Sequence, residues 1–165
     1  PDFPKPGVQF RDITTLLAHA DAFCAAVDRL AQPFRARSID TIAAIESRGF
    51  IVGAALAHEL RSGFVPIRKP GKLPAARFGQ DYELEYGSDR LEIHRDALTP
   101  GQTVLLVDDL IATGGTAEAA LGLLATAGAT IAGCAFVIEL PDLGGRERLE
   151  RLGHRVLALC RFAGH

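Results

Sequence analysis

The residues best suited to chemistry lie in one stretch, Val104–Thr116, where two adjacent carboxylates follow an apolar run and precede a loop of small residues. The apolar run predicts a buried strand that carries Asp108 and Asp109 at its carboxyl end, where ligands bind in open α/β sheets. Gly114 and Gly115 would let backbone N–H groups surround an anion at the start of the next helix. The stretch therefore predicts a phosphate site beside two acceptors that suit ribose hydroxyls, held directly or through a metal.

Thr113 and Thr116 would add hydroxyl donors to this loop. Two familiar phosphate-binding patterns do not fit: the lysine of GxxxxGK[ST] is missing, and GxGxxG does not occur around Gly114. The alternative is an ordinary turn between a strand and a helix, with two solvated aspartates. Because uncompensated carboxylates at the end of a buried strand are costly, we favour the ligand site.

A second candidate anion loop is Glu46–Gly49, which joins a predicted strand to a predicted helix. Ser47 and the N–H of Gly49 could hold an anion, and Arg48 could bind two oxygens of a diphosphate at once. The alternative is that Ser47 caps the helix and Arg48 lies in solvent. A basic cluster follows the next predicted strand and consists of Arg68, Lys69 and Lys72. This cluster suits a polyanion, although a solvated basic loop is the alternative.

Residues 69–95 interrupt the alternation of strands and helices and predict a β-hairpin. Its first strand is predicted at Tyr82–Tyr86 and its turn at Gly87–Asp89. Because side chains alternate between the two faces of a strand, Glu83 and Glu85 share one face. A half-buried surface hairpin would show the same pattern and is the alternative. Long insertions of this kind usually serve as lids or binding loops.

The elements that must position these loops alternate between strand-like apolar runs and helical patterns, which predicts βα units around a mainly parallel sheet. The predicted strands span 39–45, 64–67, 103–107, 130–138 and 155–159. The predicted helices span 21–33, 50–60, 116–127 and 146–152. We expect one α/β domain over residues 1–165, with an open, mainly parallel central sheet flanked by helices and a β-hairpin inserted at about 69–95.

The composition sets further bounds on function. The chain has 165 residues, a net charge of −2 and 48% hydrophobic residues, and no long basic run favours a nucleic-acid or membrane partner. The uncharged apolar stretch 50–57 is far shorter than the roughly 20 residues of a membrane helix. We expect a soluble, cytoplasmic protein. Cys24, Cys134 and Cys160 lie far apart in apolar sequence and are predicted to be buried free thiols.

The stretch Val104–Thr116 resembles the motif by which type I phosphoribosyltransferases bind 5-phosphoribosyl 1-diphosphate (PRPP). Four more segments resemble the adenine phosphoribosyltransferases and follow the family's order along nearly the whole chain: Pro4–Ile13, Glu46–Phe50, Arg68–Pro74 and Tyr82–Gly87. The resemblance implies the family fold and the reaction of adenine with PRPP to give AMP and diphosphate. It also implies Mg²⁺ bound through the substrate, with no direct protein ligand, and a homodimer in which a basic loop can reach the neighbouring site.

The resemblance further assigns the parts of PRPP to sets of residues. The 5′-phosphate is assigned to Ala112, Thr113, Gly114, Gly115 and Thr116, and the ribose to Asp108 and Asp109. The diphosphate is assigned to Ser47, Arg48, Lys69 and Lys72. For the loop that receives the diphosphate, the family also implies a cis peptide bond between Glu46 and Ser47.

The remaining assignments concern the purine and the hood, the family's name for the hairpin insertion that closes over PRPP. The adenine pocket is assigned to Val8, Phe10 and Arg11. Backbone groups near Val8 and Arg11 would read the 6-amino edge, and Phe10 would stack on the ring. The hood supplies Glu85 and Tyr86, of which Glu85 is the candidate acid or base that faces the purine. Glu85 and Arg48 are the expected catalytic residues.

Two alternatives stay open at this point. The first is a phosphoribosyltransferase for a 6-oxopurine, and the second is a non-catalytic PRPP-sensing regulator that has kept the phosphate loop. The presence of Glu85 and Tyr86 in the hood argues against the regulator. Relatives usually carry a helix before the position of Pro1, so we also expect residues upstream of this chain.

Overall fold

The computed structural model describes residues 2, 6–7, 9–83 and 87–163. Within these ranges the strands are β1 Thr41–Ile45, β2 Gly63–Ile67, β3 Arg77–Glu83, β4 Ser88–His94, β5 Thr103–Ile111, β6 Thr130–Glu139 and β7 Val156–Arg161. The helices are α1 Thr14–Ala18, α2 Ala20–Ala31, α3 Arg48–Leu60, α4 Gly115–Thr126 and α5 Gly145–Arg151, with 3₁₀ turns at Gln32–Phe34 and Pro141–Leu143. None of these described helices combines the length and apolar character needed to cross a membrane.

Five strands form one sheet in the order β2-β1-β5-β6-β7, and every pairing in it is parallel. Strands β3 and β4 form a separate antiparallel hairpin. The interior strand β1 is buried along its whole length, as expected for a parallel strand covered on both faces. The predicted α/β class, with a parallel sheet and a hairpin insertion, is confirmed.

Helices cover both faces of the sheet. On one face, Leu30 of α2 and Leu56 of α3 pack with Ile42 of β1 and other buried residues of the sheet. On the other face, α4 and the hairpin pack together, and the hairpin contributes the fully buried Leu91. The chain passes from β1 through α3 to β2 on one side, whereas β5 lies on the other side of β1 and leads into α4. The carboxyl ends of β1 and β5 therefore border a crevice at the point where the strand order reverses.

The hairpin differs from its prediction. Strand β3 begins at Arg77, and the predicted turn at Gly87–Asp89 is wrong because Ser88 and Asp89 lie in β4. The early part of β3 was hidden by Gly79, a residue that is rare in strands. A Cβ at Gly79 would overlap the guanidinium of Arg90 on the paired strand, so the glycine makes room for this side chain.

Other boundaries also differ from the predictions. Helix α1 was not predicted, and β5 continues to Ile111, so that Asp108 and Asp109 lie within the strand and not after it. All three cysteines are free, but the predicted burial holds only for Cys134. Cys24 and Cys160 are exposed, because Cys24 lies on the outer side of α2 and Cys160 near the end of the edge strand β7.

Candidate active site

A cleft of about 380 Å³ lies at the crevice between the ends of β1 and β5. It contains residues from the two predicted anion loops, Glu46–Gly49 and Ala112–Thr116, and Lys69 from the basic cluster. Its lining consists of Ile45, Glu46, Ser47, Arg48, Lys69 and the continuous stretch from Asp108 to Ala117. The structure thus brings together the residues predicted for the 5′-phosphate and the ribose, and three of the four predicted for the diphosphate.

The loop between β5 and α4 is shaped for an anion. Gly114 has a left-handed backbone conformation with φ of 80° and precedes the first residue of α4. Because Gly114 carries no side chain that could cap the helix, the first amides of α4 have no partner of that kind. These amides and the positive end of the helix dipole face the cleft together with the hydroxyl-bearing residues Thr113 and Thr116. The arrangement suits a phosphate group.

Asp108 and Asp109 form a crowded pair beside this loop. Arg48 Nε donates to Asp109 Oδ2 at 2.5 Å, and the Asp109 side chain is only 8% exposed. The backbone N–H of Asp109 donates to Asp108 Oδ1 at 2.8 Å. Burial and the neighbouring Asp109 carboxylate raise the pKa of Asp108 well above its ordinary value. The ionised form of Asp108 is therefore disfavoured here, and hydroxyl donors or a cation placed beside the pair would favour it.

The loop after β1 contains a cis peptide bond between Glu46 and Ser47, which confirms the prediction. Ser47 precedes α3, but its side chain makes no capping hydrogen bond. The alternative in which Ser47 serves as a helix cap is therefore wrong. The Glu46 carboxylate accepts hydrogen bonds from the backbone N–H of Lys69 at 2.8 Å and from Arg68 Nε at 3.1 Å. Glu46 thus connects this loop with the start of the basic cluster.

The basic cluster is partly built into the fold. Lys69 Nζ donates to the Tyr82 hydroxyl at 2.8 Å and to the carboxylate of Asp89 in the hairpin. Burial lowers the pKa of Lys69, but the bonds to Asp89 and Tyr82 outweigh it, so that the net pKa is raised. Arg68 pairs with Glu46, so the solvated basic loop does not describe these two residues. Lys72 is exposed and lies outside the cleft lining.

Of the residues predicted for adenine, Phe10 is the one that the described part of the chain connects to the cleft. The Arg48 guanidinium lies 5.0 Å from the centre of the Phe10 ring, which connects Phe10 to the cleft. Arg11 is directed elsewhere: its guanidinium lies 5.0 Å from the Phe162 ring, and Nη2 donates to Ala163 O at 3.1 Å. Val8, Glu85 and Tyr86 fall outside the described residues. The described end of β3 lies beside the start of α4, because the Glu83 carbonyl oxygen would lie 3.6 Å from a Cβ at Gly115.

The partners that hold the cleft residues in place were not predicted from the sequence. Glu46, Tyr82 and Asp89 were not predicted to fix the basic cluster, and the ion pair between Arg48 and Asp109 was not predicted either. A weak signal existed for Glu46, which directly follows a predicted buried strand. Asp89 carried no usable signal, because it was placed in the predicted turn.

Gly49 is the residue through which α3 packs against the end of β5. A Cβ at Gly49 would lie 2.7 Å from Asp108 Oδ1, 3.2 Å from Asp108 Cα and 3.3 Å from Val107 O. We expect Gly49→Ala to lower the free energy of unfolding by about 1–3 kcal/mol, as overpacking usually does. We also expect it to weaken PRPP binding, because α3 and Asp108 must separate.

Thermal unfolding with and without PRPP and Mg²⁺ checks this prediction for Gly49. Gly63→Ala is the matched control, because a Cβ there meets its neighbours at an ordinary 3.5 Å. Equal melting temperatures and equal PRPP responses in the two variants would contradict the packing argument.

The chain is similar to known proteins along nearly its whole length. A family model described as the phosphoribosyl transferase domain matches residues 14–152. The adenine phosphoribosyltransferase of Parvibaculum lavamentivorans is 59% identical over 165 residues, which cover 100% of this chain and 94% of that protein. The crystal structure of adenine phosphoribosyltransferase from Rhodothermus marinus has a TM-score of 0.93 at 50% identity, and the match covers 98% of this chain and 92% of that one.

A third similar protein was solved with ligands. The adenine phosphoribosyltransferase of Saccharomyces cerevisiae, in complex with an imino-altritol bisphosphate and adenine, has a TM-score of 0.89 at 41% identity. That match covers 97% of this chain and 92% of the yeast chain. The extent and the level of these similarities place the chain in the adenine phosphoribosyltransferase family, within the type I phosphoribosyltransferases.

Proposed function

We propose that the cleft binds PRPP and adenine side by side and transfers the phosphoribosyl group to adenine, with release of AMP and diphosphate. As a member of its family the chain is a purine-salvage transferase. One observation carries the assignment of this reaction to the cleft: an anion loop, two aspartates and an arginine line the same cavity. The yeast relative, which holds a sugar bisphosphate analogue together with adenine, supports simultaneous occupancy of two neighbouring subsites.

The loop Ala112–Thr116 is proposed to hold the 5′-phosphate of PRPP. Its support is the left-handed Gly114 and the start of α4, where no side chain caps the first amides, so that an anion is favoured at this helix end. The ribose hydroxyls would then lie over the next residues toward β5 and donate to Asp108 and Asp109. Those carboxylates orient the sugar, and their negative charge favours the oxocarbenium character that develops at its anomeric carbon.

The diphosphate is proposed to lie at the end of β1, against Ser47 and Arg48. Because Arg48 Nε is already bound to Asp109, the remaining N–H groups of the guanidinium are the ones assigned to the diphosphate. Asp109 thereby positions Arg48 as well as the sugar. Lys69 adds a cation at the edge of the cleft, and Lys72 is proposed to join it when the ligand is bound.

Adenine is proposed to bind between the amino-terminal segment and the hood. Phe10, which already contacts Arg48, would stack on the purine ring. Backbone groups near Val8 and Arg11 would read the 6-amino edge. Glu85 is proposed as the group that exchanges a proton with the purine, and Tyr86 as part of the hood that excludes water from the reacting sugar.

Mg²⁺ fits this cleft as a companion of the substrate. Within the described ranges no three His, Cys, Asp or Glu side chains cluster as metal ligands, whereas Asp108 and Asp109 lie together in the cleft. Two carboxylates suit a Mg²⁺ that keeps its water and is bound mainly through PRPP oxygens. When bound, the ion would neutralise charge on the departing diphosphate.

We further propose a cytoplasmic homodimer. Three free cysteines suit a reducing compartment. The edge strand β2 and the neighbouring α3 expose two large apolar side chains, Phe64 and Ile51, which a partner copy would cover. Light scattering would test the assembly, and a monomer at micromolar concentration would contradict it.

The proposed reaction is tested by measuring PRPP-dependent consumption of adenine, hypoxanthine and guanine side by side. We expect AMP from adenine, with kcat/KM at least about 10²-fold lower for the two 6-oxopurines, because a pocket built for an amino group leaves its acceptors unpaired when a carbonyl replaces it. Comparable rates with all three bases would contradict the proposed specificity. No product from any base would contradict the proposed activity.

A further inference from the structure

The back of the phosphate loop is formed by the start of α5, through a contact between two glycines. A Cβ at Gly145 would overlap Ala112 O and would lie 2.8 Å from Ile111 Cγ1 and 2.9 Å from Gly114 N. Reciprocally, a Cβ at Gly114 would lie 3.0 Å from both Gly145 Cα and Gly145 O. Neither position has room for a side chain. The loop is therefore shaped by direct contact of its backbone with the backbone of α5.

The residue after Gly145 fixes α5 to the sheet. Arg146 donates from Nε to Glu139 Oε1 at 2.8 Å and from Nη2 to Glu139 Oε2 at 2.6 Å. Its Nη1 donates to Val156 O at 2.7 Å, and Arg161 Nε donates to Glu139 Oε2 at 3.1 Å. The Glu139 side chain is only 2% exposed, and the bond from Arg146 lowers its pKa. A bidentate pair of this kind restricts the position of α5.

Two further contacts connect this region with the cleft. Arg148 of α5 forms an ion pair with Glu118, in the first turn of α4. At the end of β6, the N–H of Leu140 donates to Ile111 O at 3.0 Å, where β5 enters the phosphate loop. The loop is thus enclosed by elements that the pair of Glu139 and Arg146 holds in place. None of the residues Glu139, Gly145 and Arg146 lines the cleft itself.

We propose that Gly145 and the ion pair of Glu139 with Arg146 are positioning residues for PRPP: they set the shape of the loop Ala112–Thr116 without touching the substrate. This inference rests on the proposed function, in which that loop binds the 5′-phosphate. A shift of α5 would separate or rotate the loop amides that must converge on one phosphate group. Since displacements of about 1 Å can cost roughly 10²-fold in activity, a defect here should appear in the KM for PRPP.

The first test is Gly145→Ala, assayed by steady-state kinetics with each substrate varied. We expect the KM for PRPP to rise about 10-fold to 10²-fold, while the KM for adenine stays within about 2-fold. Gly128→Ala is the structural control, because Gly128 has a left-handed φ of 83° and a Cβ there would lie 3.2 Å from Pro100 Cα, beyond the end of α4 that is remote from the cleft. It should lower the melting temperature and leave the KM for PRPP unchanged. An equal rise of the KM for PRPP in both variants would overturn the inference.

The second test addresses the ion pair. Arg146→Lys keeps the charge but loses the bidentate geometry, and we expect a rise of about 3-fold to 10-fold in the KM for PRPP with kcat within about 2-fold. Glu139→Gln should show a larger rise; if it does not fold, Arg146→Lys still decides the matter. An unchanged KM for PRPP in both Arg146→Lys and Gly145→Ala would overturn the inference.

A third variant separates this inference from the proposed function. Thr116→Val removes a hydroxyl from the loop itself and should raise the KM for PRPP, in support of the phosphate site. If Thr116→Val raises this KM and Gly145→Ala does not, the positioning role fails and the phosphate site stands. If Thr116→Val leaves the KM for PRPP unchanged, the proposed phosphate site fails and the inference with it.

Discussion

Replacement of Glu85 by glutamine is expected to lower kcat by about 10²-fold to 10⁴-fold, the usual contribution of a general acid or base. The amide keeps the shape of the carboxyl group but cannot exchange a proton with the purine. PRPP should still raise the melting temperature nearly as much as in the wild type, because ligand binding stabilises the folded state whether or not chemistry follows. The measurements are the steady-state rate of AMP formation and thermal unfolding with and without PRPP and Mg²⁺.

Glu83→Gln is the matched control for this variant. Glu83 lies two residues earlier in the hood, is exposed, and pairs in register with Ser88 at the described end of the hairpin. We expect its kcat to equal that of the wild type. An unchanged kcat in Glu85→Gln would show that Glu85 has no part in proton transfer. An equal loss in both variants would point to a general effect of charge in the hood.

The location of the cleft could be predicted from the sequence because it depends on local patterns. Apolar runs mark the buried strands, and the loops that follow parallel strands all emerge at the same edge of a sheet. The loops Glu46–Gly49 and Ala112–Thr116 follow β1 and β5, which are neighbours in the sheet. Their meeting in one cleft therefore needed only the strand order, which the resemblance supplied.

The contacts that fix the cleft could not be predicted in this way. Periodicity reports which face of an element is buried, but it does not identify the partner of a polar side chain on another element. Arg48 and Asp109 are 61 positions apart, and Lys69 and Asp89 are 20 apart. The contact of Gly145 with Ala112 is of the same kind, because the pair Gly144-Gly145 is equally compatible with an ordinary loop. Such pairs exist only after the elements have packed.

The two aspartates of the cleft are expected to affect stability in opposite directions. Burial and the Asp109 carboxylate raise the pKa of Asp108 in the folded state above its unfolded value, so ionised Asp108 costs stability. The contribution of protonated Asp108 to the free energy of unfolding is fully present below pH 3.8, the ordinary pKa of an aspartate. This contribution is lost as the pH rises through the raised pKa of the folded state. Asp108→Asn should therefore raise the melting temperature at pH 7–8, and its advantage over the wild type should disappear as the pH falls toward 3.8.

Asp109→Asn should act the other way, because it removes the carboxylate that holds Arg48. Since the Arg48 side chain is 40% exposed, we expect only a modest loss, about 2–4 °C in melting temperature. The double variant should melt close to the wild type, because the two effects offset each other. Melting temperatures of this size would show that neither aspartate is essential for folding.

The response to PRPP distinguishes a ligand site from a structural role for these carboxylates. If Asp108 and Asp109 hold the ribose hydroxyls, PRPP with Mg²⁺ should no longer raise the melting temperature of the double variant, whereas the wild type should be stabilised in proportion to the logarithm of ligand concentration. Structural carboxylates would give the reverse: a destabilised double variant that PRPP still protects. Asp28→Asn, which removes one carboxylate from the exposed ion pair with Arg35 outside the cleft lining, is the charge-matched control for each single variant and should keep the PRPP response. Retained protection in the destabilised double variant would remove both aspartates from the ribose site, and the cleft would then bind PRPP through its phosphate and diphosphate loops alone.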